Sequence, residues 1–223
     1  GNISCFGGND GFIDITVTGG NGGYTYEWSN AALTEDLSDL FIGVYIVEVE
    51  DFKGCFASDT ITLTQPLAPL SLTTEMTAVL CFGESNGIAS VEASGGTAPY
   101  SYLWSNGETT DDVANLIAGI YTITVTDDNN CVSSLSDTVG EPEGVLLSHN
   151  QVDVLCFGDS SASIDLSVNG GTGPYLFDWT SGQGLVATSE DLISIPVGSY
   201  YVTITDGNGC SIQDSAVING PLA

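Results

Sequence analysis

The sequence GIYTITVTD at residues 119–127 decides the fold, and Cys131 follows it four residues later. Its apolar side chains alternate with threonines, which is the two-residue period of a strand with one buried face and one exposed face. The same pattern occurs at residues 43–51 and 198–206, and each copy also ends on an Asp four residues before a cysteine. The sequence therefore predicts a tandem array of three repeats.

Each repeat contains the same landmarks at nearly constant spacing. It opens with Cys-Phe-Gly and continues through a Gly-Gly pair, a Tyr-x-x-x-Trp segment, the alternating strand and a second cysteine, before a Pro-containing linker. These landmarks predict repeat 1 at residues 1–65 with a truncated leading strand, repeat 2 at 66–141 and repeat 3 at 142–220. Residues 221–223 would begin a further linker, so we expect the chain to be a segment of a longer array.

Short alternating strands between Gly- and Asn-containing turns predict an all-β fold, with an immunoglobulin-like β-sandwich in each repeat. The short linkers, each with a proline, favour a stiff rod. The tryptophan and the first tyrosine of the alternating strand are predicted core residues, and the tyrosine would form a tyrosine corner. These residues are Trp28, Trp104, Trp179, Tyr45, Tyr121 and Tyr200. The alternative for the tryptophans is a platform on which a sugar stacks.

Each repeat has one cysteine before its first strong strand and one after the alternating strand. If those two strands run antiparallel, both cysteines lie at the same end of the sandwich. This predicts one disulfide within each repeat, in the pairs Cys5–Cys55, Cys81–Cys131 and Cys156–Cys210. Closing a loop of about 50 residues contributes roughly 4 kcal/mol in the chain-entropy account, and such bonds persist in an oxidising compartment. A zinc site would need four clustered ligands, whereas each repeat has two cysteines and no regular His. A cysteine nucleophile would need a nearby base, and the only histidine, His149, lies in the second junction.

The charge of the chain is strongly one-sided, with 29 acidic residues, one Lys (Lys53), no Arg and a net charge of −28. Such a chain is repelled by nucleic acid and by anionic lipid, which excludes nucleic-acid binding and nucleotide chemistry. No apolar run approaches the length of about 18 residues that a membrane span requires, so we expect no membrane insertion. The charge favours solubility and divalent cations.

Acidic side chains lie beside both cysteines of each repeat. They are Asp10, Asp51, Glu84, Asp127, Asp128, Asp159 and Asp206. Two interpretations are open: the carboxylates accept backbone N–H bonds within turns, or oxygen ligands from two loops hold calcium. No cofactor is otherwise required. Paired carboxylates could hydrolyse a glycoside only if one repeat gained a cleft that the others lack, and none does, so we predict no catalytic residues and no enzyme.

The landmarks taken together resemble the SprB repeat of giant cell-surface gliding adhesins of the Bacteroidota. The pattern is Cys-Phe-Gly, Gly-Gly-x-x-Pro-Tyr-x-x-x-Trp, then Leu-x-x-Gly-x-Tyr-x-Val-x-Val-x-Asp-x-x-Gly-Cys, and it covers nearly the whole chain. Repeat 1 lacks the Pro before Tyr24, and Asn130 replaces the Gly before the second cysteine of repeat 2.

The resemblance implies an extracellular, cell-surface filament that is exported by the type IX secretion system and serves surface adhesion and gliding motility. Its partners would be neighbouring repeats and an extracellular surface or glycan. Two alternatives remain open at this point. The repeats could be spacer or accessory modules of a large secreted enzyme, or a glycan-binding lectin array.

The same resemblance implies a glycoprotein, because this lineage attaches O-glycans at Asp, then Ser or Thr, then a small or apolar residue. The predicted acceptors are Thr60, Thr138 and Ser215. The alternative is an ordinary alternating strand that was copied when the repeat was duplicated. A glycan there would shield the strand edge and add bulk without charge.

Overall fold

The computed structural model of the chain describes residues 1–182 and 184–221, and it confirms the predicted all-β fold. Those residues form eighteen strands and no helix, and none of them could therefore cross a membrane as a helix. The chain forms two compact units. Unit 1 comprises Gly1–Glu75, Ser90–Val113 and Tyr121–Asp137, and unit 2 comprises Met76–Ala89, Ala114–Ile120 and Thr138–Ala223. The unit boundary falls within repeat 2, so the predicted repeat limits stay a prediction.

Repeat 1 contains two antiparallel sheets in unit 1. Its strands are β1 (Gly11–Ile13), β2 (Thr25–Trp28), β3 (Leu37–Leu40), β4 (Gly43–Glu50) and β5 (Phe56–Leu63). One sheet pairs β1 with β3 and the other has the order β2-β4-β5. The period of two in β4 buries Val47 and Val49 and leaves Ile46 and Glu48 exposed. The buried side chains pack around Trp28.

Repeat 2 has six strands in two sheets. They are β6 (Ser71–Thr77), β7 (Gly87–Ser94), β8 (Ser101–Trp104), β9 (Asp112–Leu116), β10 (Gly119–Thr126) and β11 (Val132–Val139). The sheets have the orders β6-β7-β9 and β11-β10-β8. Strand β10 is the stretch that predicted the fold, and its Ile123 and Val125 are fully buried.

Repeat 3 repeats this arrangement in unit 2. Its strands are β12 (Leu146–Val152), β13 (Ala162–Asn169), β14 (Leu176–Ser181), β15 (Gly184–Ala187), β16 (Leu192–Ile195), β17 (Gly198–Thr205) and β18 (Ser211–Ile218). The sheets have the orders β12-β13-β16 and β15-β14-β17-β18. Repeat 3 has four more residues between its Trp and its alternating strand than repeats 1 and 2 have. Strand β15 lies in this longer segment and pairs with β14, and Gln183 of the segment lies outside the described residues.

The strand order is that of an immunoglobulin-like sandwich. In repeat 2, the first, second and fourth strands form one sheet, and the third, fifth and sixth form the other. This division is the arrangement of strands A, B and E against C, F and G in immunoglobulin domains. A tyrosine corner accompanies it, because the Tyr45 hydroxyl donates to Phe41 O (3.0 Å) and the Tyr200 hydroxyl donates to Pro196 O (2.9 Å). Tyr200 is buried, whereas Tyr45 and Tyr121 are half-buried.

The three tryptophans lie in the cores of their repeats. Trp28, Trp104 and Trp179 are 2%, 1% and 1% exposed. Each indole N–H donates to a backbone carbonyl, for example from Trp28 to Thr34 O (2.8 Å) and from Trp104 to Thr110 O (2.9 Å). A buried indole with its N–H satisfied has no free face on which a sugar could stack, so these side chains cannot form a lectin platform.

Candidate functional site: the cystine junctions

Two disulfides join consecutive repeats. Cys5 of repeat 1 bonds to Cys131 of repeat 2 with a Cα–Cα distance of 5.7 Å, and Cys81 of repeat 2 bonds to Cys210 of repeat 3 at 5.6 Å. The remaining cysteines, Cys55 and Cys156, are free and exposed. The predicted pairs Cys5–Cys55, Cys81–Cys131 and Cys156–Cys210 are therefore wrong, and so is the prediction of one disulfide within each repeat.

Strand direction explains the error. The Ile3 N–H donates to Thr64 O (2.9 Å), so the Cys5 loop lies where β5 ends, whereas Cys55 directly precedes the start of β5. An eight-residue strand spans about 27 Å, and the two Cα atoms of a disulfide lie only about 4–7 Å apart. The two cysteines of repeat 1 are thus at opposite ends of their sandwich.

The assumption of antiparallel strands fails because the two strands belong to different sheets. The Asn21 N–H donates to Asp51 Oδ2 (3.0 Å). Asn21 follows β1, the strand after Cys5, and Asp51 directly follows β4. Both strands therefore end at the same end of the sandwich and run in the same direction. The Cys-Phe-Gly loop marks one end of a repeat, which we call the trailing end. The turn that carries the second cysteine marks the other end, which we call the leading end.

An aspartate turn fixes the second cysteine of every repeat. In repeat 3, Asp206 Oδ1 accepts the N–H groups of Asn208 and Cys210 (both 2.9 Å), and Oδ2 accepts the N–H of Thr172 (3.0 Å). Asp51 and Asp127 make the corresponding bonds in repeats 1 and 2. All three carboxylates are buried, with exposed fractions of 7%, 4% and 4% for Asp51, Asp127 and Asp206.

The residue before the second cysteine requires a left-handed backbone. Its φ is +81° at Gly54, +65° at Asn130 and +86° at Gly209. Glycine adopts this conformation without a steric penalty, and asparagine tolerates it better than most other residues. The replacement of Gly by Asn130 in repeat 2 is therefore compatible with the same turn.

Hydrogen bonding lowers the pKa of Asp51 and of Asp206 and keeps these two carboxylates ionised. The side-chain amide of Asn21 lowers the pKa of Asp51 to about 2, with further contributions from the Cys55, Lys53 and Asn21 N–H groups. Burial alone would raise the pKa of Asp206, but the N–H donors, first among them Thr172, outweigh it and hold the pKa below its usual value. The turns therefore depend on a negative charge that backbone donors neutralise.

The predicted calcium ligands have protein partners of their own. Asp10 accepts the Ser4 N–H (3.0 Å) and the Ser4 hydroxyl, and the hydroxyl is the main cause of its lowered pKa. Glu84 accepts from the Asn86 amide (2.8 Å), and Asp159 accepts from the Ser160 N–H (2.8 Å).

Asp128, the last of the predicted ligands, is exposed. Within residues 1–182 and 184–221, no three His, Cys, Asp or Glu side chains are grouped to hold a metal ion. The contacts of the buried aspartates match the turn-forming interpretation, and calcium stays a prediction.

An asparagine completes each junction. The Asn129 amide donates to Ser4 O (2.9 Å) of the preceding repeat, and the Asn208 amide donates to Leu80 O (3.0 Å) in the same way. We define a cystine junction as one disulfide together with this asparagine bond. Sequence reasoning missed both asparagines. The available signal was an Asn two residues before the second cysteine in repeats 2 and 3, where repeat 1 has Lys53.

The predicted glycan acceptors occupy corresponding strands. Thr60, Thr138 and Ser215 are exposed on β5, β11 and β18, each of which is an edge strand of its sheet. The Asp before Ser215 is hydrogen-bonded to the single histidine, since His149 Nδ1 lies 2.9 Å from Asp214 Oδ2.

A family sequence model matches the chain once in each of its three internal repeats. The sequence model of the SprB repeat matches residues 1–33, 73–109 and 148–184, which contain the Cys-Phe-Gly loop and the Tyr-x-x-x-Trp segment of each repeat. No curated protein sequence matches the chain.

Among solved structures, the chain is similar to three N-terminal domains of the bacteriophage RB49 Highly Immunogenic Outer Capsid protein. The sequences are 14% identical over 97% of this chain and 95% of that one, with a TM-score of 0.40. A three-domain titin fragment is 14% identical over 96% and 94% of the two chains, with a TM-score of 0.43. The SprB repeat model thus matches one segment in each internal repeat, which confirms the predicted resemblance to the SprB repeat.

Proposed function

We propose that the chain is a structural and adhesive segment of a long extracellular filament, exported by the type IX route, that serves surface adhesion and gliding motility. Three SprB repeats in tandem support an adhesin-type segment. Disulfides that persist in the folded protein support an oxidising, extracellular location. The proposed role is mechanical and includes no catalytic step.

The observation that carries this proposal is the linkage of consecutive repeats by cystines. A disulfide within one repeat protects only that repeat from being pulled open. Cys5–Cys131 and Cys81–Cys210 instead close overlapping loops with sequence separations of 126 and 129 residues. Tension applied to the ends of the chain therefore passes from repeat to repeat through sulfur–sulfur bonds.

The covalent path limits how far the chain can extend. The shortest path runs from Gly1 to Cys5, across to Cys131, back along the chain to Cys81, and across to Cys210. It includes about 70 residues, or roughly 240 Å at about 3.5 Å per residue, even if every repeat unfolds. Without the cystines the same chain would extend to roughly 780 Å. A filament segment with these cystines therefore lengthens under load far less than the same segment would without them.

Single-molecule force spectroscopy tests the mechanical part of the proposal. With the ends of the chain held in optical tweezers, we expect a maximum extension near 240 Å under oxidising conditions. A reductant should raise it to roughly 780 Å. A variant with Cys81→Ser and Cys210→Ser serves as a control, since it loses one junction and should give an intermediate value. Extension to the full length without reductant would refute the mechanical role.

Immunogold labelling of the native surface tests the adhesive part. Antibodies raised against this chain should mark thin fibres outside the cell at many points along their length, and monovalent fragments of them should slow movement over a surface. Labelling confined to a compact secreted particle would contradict the filament, and would support spacer modules of a secreted enzyme.

We also propose O-glycans at Thr60, Thr138 and Ser215. The three side chains are exposed on edge strands, where a glycan would block pairing with another strand. Mass spectrometry of native material should give peptides heavier by the mass of a glycan at each site. Unmodified masses for all three peptides would refute this proposal.

A further inference from the structure

The outer face of one sheet in repeat 3 carries an aromatic side chain that the other repeats lack there. The sheet is β15-β14-β17-β18, and Tyr201 lies on β17, one of its two central strands. Tyr201 is 55% exposed, whereas the other eight tyrosines of the chain are buried or half-buried. The corresponding residues are Ile46 in repeat 1 and Thr122 in repeat 2, so the fold does not require an aromatic ring at this position.

Tyr201 lies in a row of outward side chains that crosses all four strands of this sheet. Thr180 of β14 pairs with Leu185 of β15 on one side and with Tyr201 on the other. Tyr201 pairs in turn with Ser215 of β18. All four side chains are exposed, and at about 4.8 Å between strands the row is about 14 Å long. Strand β15 has no counterpart in repeats 1 and 2, so two features that only repeat 3 has, the fourth strand and the tyrosine, meet on one face.

The next row on the same face supplies hydrogen-bonding groups. It contains Asp178 of β14, Thr203 of β17 and Gln213 of β18, which pair in that order. The side-chain amide of Gln213 donates to the Thr203 hydroxyl (3.2 Å), which fixes the amide on the face. The amide oxygen of Gln213 and the carboxylate of Asp178 are hydrogen-bond acceptors. We call the seven side chains of these two rows the Tyr201 platform.

We propose that the Tyr201 platform binds an uncharged polysaccharide, with one sugar ring stacked on the ring of Tyr201. A sugar ring has an apolar C–H face, which an aromatic ring can cover, and hydroxyl groups at its edge, which need hydrogen-bond partners. The platform offers both, because hydroxyl, amide and carboxylate groups surround one exposed aromatic ring. The inference rests on the adhesive part of the proposed function, for which it gives the chemical class of the partner.

Charge selects an uncharged polymer. Asp178 is the only charged side chain of the platform, whereas the corresponding sheet of repeat 1 has Glu27, Glu48 and Glu50 on its outer face, and Glu48 stands where repeat 3 has Thr203. A polyanion would be repelled by a chain with net charge −28. A protein partner would need about 800 Å² on each side with an apolar centre, and the platform has mainly hydroxyl and amide groups around a single ring.

The proposed O-glycan at Ser215 would lie in the same row as Tyr201 and would compete for the platform. The test therefore uses the full chain made without O-glycans, with the unmodified mass of the Ser215 peptide confirmed by mass spectrometry. Binding is measured by native gel electrophoresis in gels that contain a dissolved polysaccharide. The probes are hydroxyethyl cellulose, laminarin and dextran, which are uncharged, and carboxymethyl cellulose, which is the anionic counterpart of the first.

We expect at least one uncharged probe to retard the chain and carboxymethyl cellulose to have no such effect. Tyr201→Thr should weaken the binding at least about tenfold, whereas Tyr201→Phe keeps the ring and should stay within about threefold of the unchanged chain. Tyr201→Thr introduces the residue that repeat 2 has at this exposed position, so the fold should be unchanged. The matched control is Ile46→Thr, which makes the same replacement at the corresponding position of repeat 1 and should bind like the unchanged chain.

Two results would overturn the proposed site. Equal retardation of the unchanged chain and of Tyr201→Thr would mean that another surface binds the sugar. No retardation by any of the three uncharged probes would mean that the platform does not bind polysaccharide. Neither result decides the adhesive role, which the antibody fragments test separately: if the fragments slow movement while no uncharged probe binds, the adhesive partner is a protein or contacts a different surface.

Discussion

Replacing Asp127 by alanine removes the acceptor that holds the turn before Cys131. Three N–H groups lose their partner, from Asn129 (2.9 Å), Cys131 (2.8 Å) and Thr97 (2.9 Å), at a carboxylate that is only 4% exposed. A hydrogen bond to a charged group contributes about 1.5–3 kcal/mol, and the three bonds are not additive because they share one acceptor. We therefore expect Asp127→Ala to lower the free energy of unfolding by about 3–5 kcal/mol.

Calorimetry and hydrogen exchange measure this loss. In a repeat of about 75 residues, 1 kcal/mol shifts Tm by about 4–8 °C, so the transition of repeat 2 should fall by at least about 12 °C. The amides of Thr97, Asn129 and Cys131 should exchange faster than those of β10. Asp127→Asn keeps an oxygen acceptor for two of the three bonds and should lose less.

The matched control is Asp128→Ala. It removes the same charge at the neighbouring position, where the side chain is exposed. A surface change of this kind alters stability by less than about 0.5 kcal/mol. If Asp127→Ala proves no more destabilising than Asp128→Ala, the buried carboxylate does not hold the turn, and the account of how the second cysteine is positioned is wrong.

Three further predictions concern acid, chelation and the core. The folded-state pKa of Asp51 is about 2, below the value of about 3.9 in an unfolded chain, so its stabilisation is present above about pH 4 and is lost as pH falls through about 2. The Tm difference between the unchanged chain and Asp51→Asn should therefore shrink between pH 6 and pH 2. EDTA should leave Tm unchanged, because N–H donors occupy the buried carboxylates; a fall that calcium reverses would establish a metal site instead. We expect Trp104→Ala to lower the free energy of unfolding in urea by about 3–5 kcal/mol. If Leu103→Ala, which truncates the exposed neighbouring side chain, lowers it as much, the assignment of Trp104 to the core is wrong.

The fold could be predicted because its signals are local and repeated three times. Alternation in residues 119–127 identifies a strand with one buried face, and the spacing of the landmarks identifies the repeat. The tyrosine corner follows from the position of Tyr45 or Tyr200 near the start of its strand. The buried tryptophans follow from strand positions that recur at constant spacing.

The cystine pairing could not be predicted in the same way. Alternation assigns side chains to the two faces of a strand, but it does not give the relative direction of strands in different sheets. The end of β4 lies beside the end of the strand that follows Cys5, so one cysteine lies at each end of the repeat. Pairing then depends on the neighbouring repeat, which the pattern within a single repeat does not describe.

The bridging asparagines were missed for a related reason. Asn129 and Asn208 donate to backbone carbonyls of another repeat, and every residue has a carbonyl, so the identities of Ser4 and Leu80 contain no signal. The role of the aspartates in these turns was left open between two interpretations, because an acidic turn in a sequence fits a calcium site and backbone N–H donors equally well. The distances to the Thr172, Asn208 and Cys210 N–H groups favour the second interpretation.

The central claim is that cystines join consecutive repeats, and peptide mapping without reduction tests it most directly. Native material should be alkylated at once and digested with a protease that cleaves at acidic residues, since the chain offers trypsin only Lys53. We predict linked peptides that contain Cys5 with Cys131 and Cys81 with Cys210. Linked peptides that contain Cys5 with Cys55, Cys81 with Cys131 or Cys156 with Cys210 would contradict the account.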